Sequence, residues 1–368
     1  MKENKIRAAG AGVLVALWLG LTAFAWLSPA KELSDAERRP LAQLPILSAE
    51  TLLDGRFMSG FESYTLDQFP LRDRFRQLKA LFHYNALGQR DNNEIYIVGR
   101  HAAKLLYPLS QTALDHNLSR LNYVYERYLK DTQSKLLVSV VPDKGFYLAA
   151  QNGYPALDYG AFFSQVQAAL PWAEYVDLTG HLSVEDYYFT DTHWRQEQLF
   201  SAAGALCQAL NVTAPAASEF EKVPLERPFY GVYYGQAALP MEAETMYVME
   251  SSLLSGCTVY DHESGKTAAV YDMDKLTDKD LYNVFLSGSR SLLTIENPNA
   301  ATDRELIVFR DSFGSSMVPL LVQDYAAVTV VDIRYLSSEL LGNFVEFHGQ
   351  DVLFLYSTLV LNNSETIK

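Results

Sequence analysis

The amino-acid sequence predicts an α/β protein, a parallel sheet flanked by helices, preceded by a membrane-spanning helix. Three observations carry this. Short apolar runs alternate with helical text, polar residues collect directly after those runs, and one long uncharged stretch sits at the N-terminus. Strands that alternate with helices imply parallel pairing with right-handed crossovers. At 368 residues the chain has room for about two domains. Its 30 Lys+Arg against 44 Asp+Glu give a net charge of −14, which argues against a nucleic-acid binder. Two cysteines, Cys207 and Cys257, are too few for a disulfide scaffold or a zinc cluster.

From Ala8 to Ala30 the chain carries no charge, and Lys2, Lys5 and Arg7 precede it. About 20 helical residues cross a bilayer, and basic flanks stay in the cytoplasm, so the rest of the chain is expected outside. Ala23-Phe24-Ala25 resembles a cleavage site, which keeps a signal peptide open beside a permanent anchor. Residues 1–30 are therefore assigned to an anchor or signal peptide. Residues 31–90 are a charged, proline-punctuated linker and a helical region broken at Asp67-Gln68-Phe69-Pro70. Residues 91–368 are the α/β domain.

Within that domain Leu114, Leu118, Leu121, Tyr125 and Tyr128 fall on one face of a helix. The run 136–141 then reads as a strand buried on both faces. A helix is expected over 161–170, a strand near 175–178 and a helix over 196–210. Tyr-, Gly- and Val-rich text from about 223 to 272 predicts a small insertion of short antiparallel strands. Strands are expected again at 305–309, 328–331 and 352–355.

In an open parallel sheet, ligands sit beyond the carboxyl ends of the strands. The residues found there are Asp143 and Lys144, Arg310-Asp311-Ser312-Phe313-Gly314, Asp332, Arg334 and Tyr335, and Tyr356-Ser357-Thr358. Ser312 stands at a strand-to-helix turn, where a serine is either a nucleophile or an ordinary helix cap. Asp191 and His193 lie two apart, so in extended backbone both would point the same way. A carboxylate orienting an imidazole that reaches a serine is the acyl-transfer arrangement; a histidine packed beside Trp194 is the plainer alternative. There is no G-x-S-x-G, no H-E-x-x-H and no EF-hand loop. Ser264-Gly265-Lys266-Thr267 lacks the first glycine of a phosphate loop and reads as a hairpin turn.

Several ordered motifs together resemble the DHHW proteins, relatives of the alginate O-acetylation proteins in the SGNH-hydrolase-like superfamily. They are Glu37-Arg38-Arg39-Pro40-Leu41-Ala42-Gln43-Leu44-Pro45, Asp67-Gln68-Phe69-Pro70-Leu71-Arg72-Asp73, Val141-Pro142-Asp143-Lys144, Asp191-Thr192-His193-Trp194, Arg310-Asp311-Ser312-Phe313 and Val331-Asp332-Ile333-Arg334-Tyr335. The resemblance implies an SGNH-like fold with Ser312 as nucleophile, His193 as base and Asp191 as its orienting partner. It implies transfer or removal of acetyl groups on an exported polysaccharide, with a membrane-bound O-acyltransferase as acyl donor and no cofactor or metal. Gly288, Ser289, Arg310, Asp311, Trp194, Lys144, Arg334 and Tyr335 are the expected oxyanion and substrate contacts. Two departures stand out. Thr192 stands in the middle of the signature where the family has a histidine, and Gly288-Ser289 stands where a Gly-Asn pair is expected, for which Asn362 or Asn363 is a candidate substitute. A non-catalytic envelope protein that binds glycan or assembly partners is the alternative reading.

Overall fold

The computed structural model describes residues 2–363 and 365–368, with side chains from Arg7 onward. The side chains of Lys2 and Lys5, the first basic flanks, lie outside the described residues. Two compact units divide the chain: Met1–Asn93 with Tyr234–Pro240, and Glu94–Tyr233 with Met241–Lys368.

The first unit opens with helix α1 (Lys2–Leu27). Its segment Arg7–Leu27 is 21 residues long and wholly unburied; at 1.5 Å per residue that is about 31 Å, the thickness of a hydrocarbon core. Two-residue strands β1 (Leu33–Ser34) and β2 (Arg39–Pro40) pair antiparallel. Ser48 and Thr51 form a capping box at α2 (Ala49–Leu53). Helices α3 (Arg56–Asp67) and α4 (Arg72–Ala86) follow, then the short strand β3 (Asp91–Asn92). The break between α3 and α4 falls at Phe69-Pro70, because proline disfavours helical backbone in the residue before it.

The second unit holds the hairpin β4 (Ile95–Val98) and β5 (His101–Lys104), helix α5 (Gln111–Val124), strand β6 (Leu136–Val141), helices α6 (Lys144–Leu148) and α7 (Tyr159–Ala169), strand β7 (Glu174–Tyr175) and helix α8 (Phe200–Leu210). Strands β8 (Glu221–Pro224) and β9 (Tyr247–Glu250) form a ribbon of their own. Then come β10 (Thr258–Asp261), β11 (Lys266–Ala268), β12 (Leu292–Glu296), β13 (Arg304–Arg310), helix α9 (Gly314–Met317), β14 (Tyr325–Val331), β15 (Asp351–Ser357) and helix α10 (Thr358–Asn363).

One eight-stranded sheet runs in the order β11-β10-β12-β14-β13-β15-β6-β7. The five strands β14, β13, β15, β6 and β7 are parallel, and β12, β10 and β11 extend them antiparallel. The segment 223–272 is therefore not one separate insertion: β10 and β11 join the main sheet through β12, and only β8 and β9 stand apart. Alternate residues along the parallel strands feed opposite faces. Val308, Leu353 and Val141 pack with Leu199, Ala203 and Leu206 on the α8 side. Phe309, Phe354 and Val140 pack with Leu118 and Leu121 of α5 and Phe162 of α7. A sheet covered on both faces leaves its carboxyl edge as the place for polar chemistry.

Candidate active site

The carboxyl ends of β6, β13 and β15 are tied by buried acids. Asp311, directly after β13, accepts from the Ser357 amide at 2.7 Å and the Ser357 hydroxyl at 2.6 Å with one carboxylate oxygen. Its other oxygen accepts from the Phe313 amide at 3.0 Å. Asp143 accepts from Thr358 Oγ1 and Tyr159 Oη, both at 2.8 Å, and from the Gly145 amide at 2.7 Å. Burial pushes the Asp143 pKa up, and these bonds oppose the shift. The turn 311–313 is thereby held rigid. Gly314 lets α9 fold straight back over the strand end, since a Cβ there would lie 2.6 Å from Arg310 Cβ. Ser312 is left half-buried at the apex.

Asp191 and His193 come from the loop between Tyr187 and Trp194, which bridge antiparallel. The pair lies in a bend, not in extended backbone. Asp191 Oδ1 accepts the His193 amide at 3.0 Å and meets His193 Nδ1 at 2.6 Å, so a local turn, rather than strand alternation, aligns them. His193 Nε2 then stands 2.8 Å from Ser312 Oγ. A carboxylate only accepts, so Nδ1 carries the proton and Nε2 accepts from the serine hydroxyl. Asp191 is fully buried.

Four residues that the sequence reading did not single out, Val232, Gly231, Glu244 and Tyr282, hold this loop. Asp191 Oδ2 accepts from the Val232 amide at 2.7 Å. The Gly231 amide donates to Thr190 Oγ1 at 2.9 Å. Glu244 accepts from the amides of Phe189 and Thr190 at 2.6 and 2.7 Å and from the Thr190 hydroxyl at 2.7 Å. The ring of Tyr282 stacks on His193 with centroids 3.9 Å apart and planes 10° apart, while its hydroxyl meets Ser316 Oγ at 2.7 Å. Each is distant in sequence from the residue it holds, so no local signal marked it.

The expected contact residues divide into scaffold and surface. Trp194 is wholly buried and donates to Phe313 O at 3.0 Å and Ser316 Oγ at 2.9 Å, riveting the histidine loop to the serine turn. Lys144 is also enclosed; its ammonium donates to the carbonyls of Tyr188 and Phe189 at 2.8 and 3.2 Å. Burial pulls the Lys144 pKa down to about 7 against the fields of Asp191, Glu244 and Asp143. Arg310 is fully buried 3.7 Å from Asp332, whose carboxylate also takes the Arg334 fork at 2.9 and 2.6 Å. Trp194, Lys144, Arg310 and Asp311, expected from sequence to meet substrate, are thus each buried against partners within the protein. Arg310 Nη2 reaches Gly288 O at 3.4 Å, and the Gly288 amide is taken by Phe285 O. Ser289 and Tyr335 are exposed. Asn362 accepts from the Ser110 amide and donates to Pro108 O, and so is committed to the start of α5. Among the described residues no cluster of His, Cys, Asp and Glu has the geometry of a metal site.

Comparison with known proteins extends this picture. The profile of the DHHW protein family matches residues 172–331. No curated protein sequence matches the chain. Among solved structures, a DHHW family protein from Eubacterium siraeum is similar at 21% identity, with 75% of this chain and 94% of that chain covered and a TM-score of 0.58. Bacillus cereus PatB1 with a sulfonyl adduct is similar at 17% identity, with 74% and 97% covered and a TM-score of 0.55. At these identities the likeness is one of fold: a mixed α/β body around a large central sheet. The stretch that matches the DHHW family profile spans Asp191, His193 and Ser312 alike.

Proposed function

We propose that the protein is an extracytoplasmic serine-dependent O-acetyltransferase or acetylesterase acting on a cell-envelope or exported polysaccharide. The observation that carries this reading is the relay Asp191–His193–Ser312, with contacts of 2.6 and 2.8 Å. Ser312 Oγ attacks the acyl carbonyl carbon as its proton passes to His193 Nε2, and Asp191 stabilises the imidazolium. The tetrahedral oxyanion takes a hydrogen bond from the Ser312 amide, which has no acceptor among the described residues. Ser289, exposed beside Gly288, supplies the second donor in place of the family's asparagine. On collapse the imidazolium gives its proton to the leaving oxygen and the acyl group stays on Ser312. A sugar hydroxyl, or water, then attacks the ester, again losing its proton to Nε2, and Ser312 recovers its own.

PatB1 has been determined with a sulfonyl adduct, and sulfonyl electrophiles capture activated serines of the kind proposed here. The apolar helix Arg7–Leu27 fits an anchor that holds the domain outside the membrane, within reach of a membrane-bound acyl donor. Release of acetate from a chromogenic acetate ester tests the reading. The wild type should turn over, and Ser312→Ala and His193→Ala should each fall to background. Equal rates in all three proteins would favour the non-catalytic alternative.

A further inference from the structure

We propose that the corner between α3 and α4 is a foot embedded in the lipid headgroup layer beside the membrane helix, seating the exported part of the chain on an anionic bilayer surface. The proposal rests on the anchor reading of Arg7–Leu27. Its geometry comes from residues that the catalytic reading leaves unused, the motifs 37–45 and 67–73.

Gln68, at the corner, clamps the backbone of Lys31 from both sides. The Lys31 amide donates to Oε1 at 2.9 Å, and Nε2 donates to the Lys31 carbonyl at 2.9 Å. Gln43 Nε2 donates to the same carbonyl at 2.9 Å. Lys31 lies four residues beyond Leu27, the end of α1. Four extended residues span at most about 14 Å, so the corner stays within that reach of the membrane edge. A lattice of charges fixes the corner in turn. Arg39 forks Asp67 at 2.9 and 2.7 Å, and Glu37 takes Arg72 at 2.6 Å and Arg76 at 3.2 Å.

The surface so placed is apolar. Leu71, Phe75, Leu78 and Phe82 recur at i, i+4, i+7 and i+11 on one face of the corner and α4, and they are 63%, 45%, 64% and 57% exposed. Phe69 extends the stripe by an edge-to-face contact with Phe75 at 5.5 Å. Large apolar side chains in a contiguous exposed row mark a surface with a partner. The exposed cations Arg74 and Lys79 border the row, and Asp73, on the opposite face, stands 3.6 Å from Arg72 and from Arg76. An apolar face edged by cations is the pattern of helices that lie in an anionic interface. In a chain of net charge −14 that local cationic border favours anionic lipid over a second copy of the same acidic protein.

The test uses the full chain in vesicles of phosphatidylethanolamine and phosphatidylglycerol. Cys207 and Cys257 are replaced by alanine, and single spin-labelled cysteines are placed at Leu78, Phe82 and, as a control, Asp73. Collision with dissolved oxygen relative to a water-soluble nickel chelate should rise several-fold at positions 78 and 82 over position 73. Intact mass of the reconstituted chain reports separately on α1. Retained α1 with water-like ratios at 78 and 82 overturns the foot alone, whereas loss of α1 overturns the anchor reading and the geometry built on it. Dipolar broadening that grows with the protein-to-lipid ratio would assign the stripe to a second copy and overturn the proposal as well.

Discussion

Replacing Gly231 by alanine perturbs the relay without touching any of its three side chains. The added Cβ would lie 2.2 Å from Asp191 Cβ, 2.4 Å from its Cα and 2.5 Å from its nitrogen. Carbon atoms in contact settle at about 3.5–4.0 Å, so the two backbones must part by roughly 1.3 Å or more. Gly231 is not in the left-handed region, and the effect is therefore one of contact and not of dihedral strain. The displaced group is Asp191, through which the imidazole is held. A misplacement of about 1 Å in a catalytic group costs on the order of 10²-fold in rate, near 2.7 kcal/mol of transition-state stabilisation. Overpacking adds about 1–3 kcal/mol of lost stability. The assay is acetate-ester turnover beside thermal unfolding, with Gly204→Ala as control because its Cβ would meet only Ala214 Cβ, at 4.0 Å. A folded Gly231→Ala protein with wild-type turnover would refute the claim that the placement of Asp191 sets the rate.

Three further outcomes are expected. Tyr282→Leu removes the ring stacked on His193, a contact worth about 1 kcal/mol, so turnover should drop roughly five- to tenfold; Tyr282→Phe, which keeps the ring, should retain most of it, and equal losses in both would assign the role to the hydroxyl. Trp194→Phe leaves the carbonyl of Phe313 and the Ser316 hydroxyl without their indole donor, which should cost about 1–3 kcal/mol in a denaturant titration; an unchanged midpoint would show that the rivet is dispensable. The third concerns acid. Burial, with Lys144 nearby, depresses the His101 pKa from 6.5 to about 4. Between those values the unfolded chain holds a proton that the folded chain does not, so stability falls as pH falls through that window. His101→Gln should flatten this acid limb in Tm measured from pH 7 to 4, and parallel limbs in the two proteins would contradict the assignment.

The parallel strands were legible because strands buried on both faces are continuous apolar runs. The run 136–141 matches β6 residue for residue, and the other three main strands were found short by one to three residues at their ends. The hairpin turn at 264–267 was legible too, between β10 and β11. Strand β12 escaped notice, since Leu292–Glu296 mixes polar and apolar residues at the start of the antiparallel flank. At the site, Ser312 drew attention by its position after a strand and Asp191 with His193 by their spacing, and the fold brings the three together at 2.6 and 2.8 Å. The reason given for Asp191 and His193 was nonetheless wrong in detail: a bend aligns them. Glu244, Gly231 and Tyr282 were illegible for a physical reason, namely that each acts across the fold on a residue remote in sequence. The burial of Trp194 and Lys144 was not legible in the sequence, because exposure is a property of packing rather than of residue type.

The central claim is that Ser312 is activated by His193. Treatment of the purified protein with a sulfonyl fluoride, followed by peptide mass spectrometry, tests it most directly. One adduct on Ser312 is expected, formed rapidly in the wild type and at background rate in His193→Ala. An unmodified Ser312, or labelling at the same rate without the imidazole, would contradict the account.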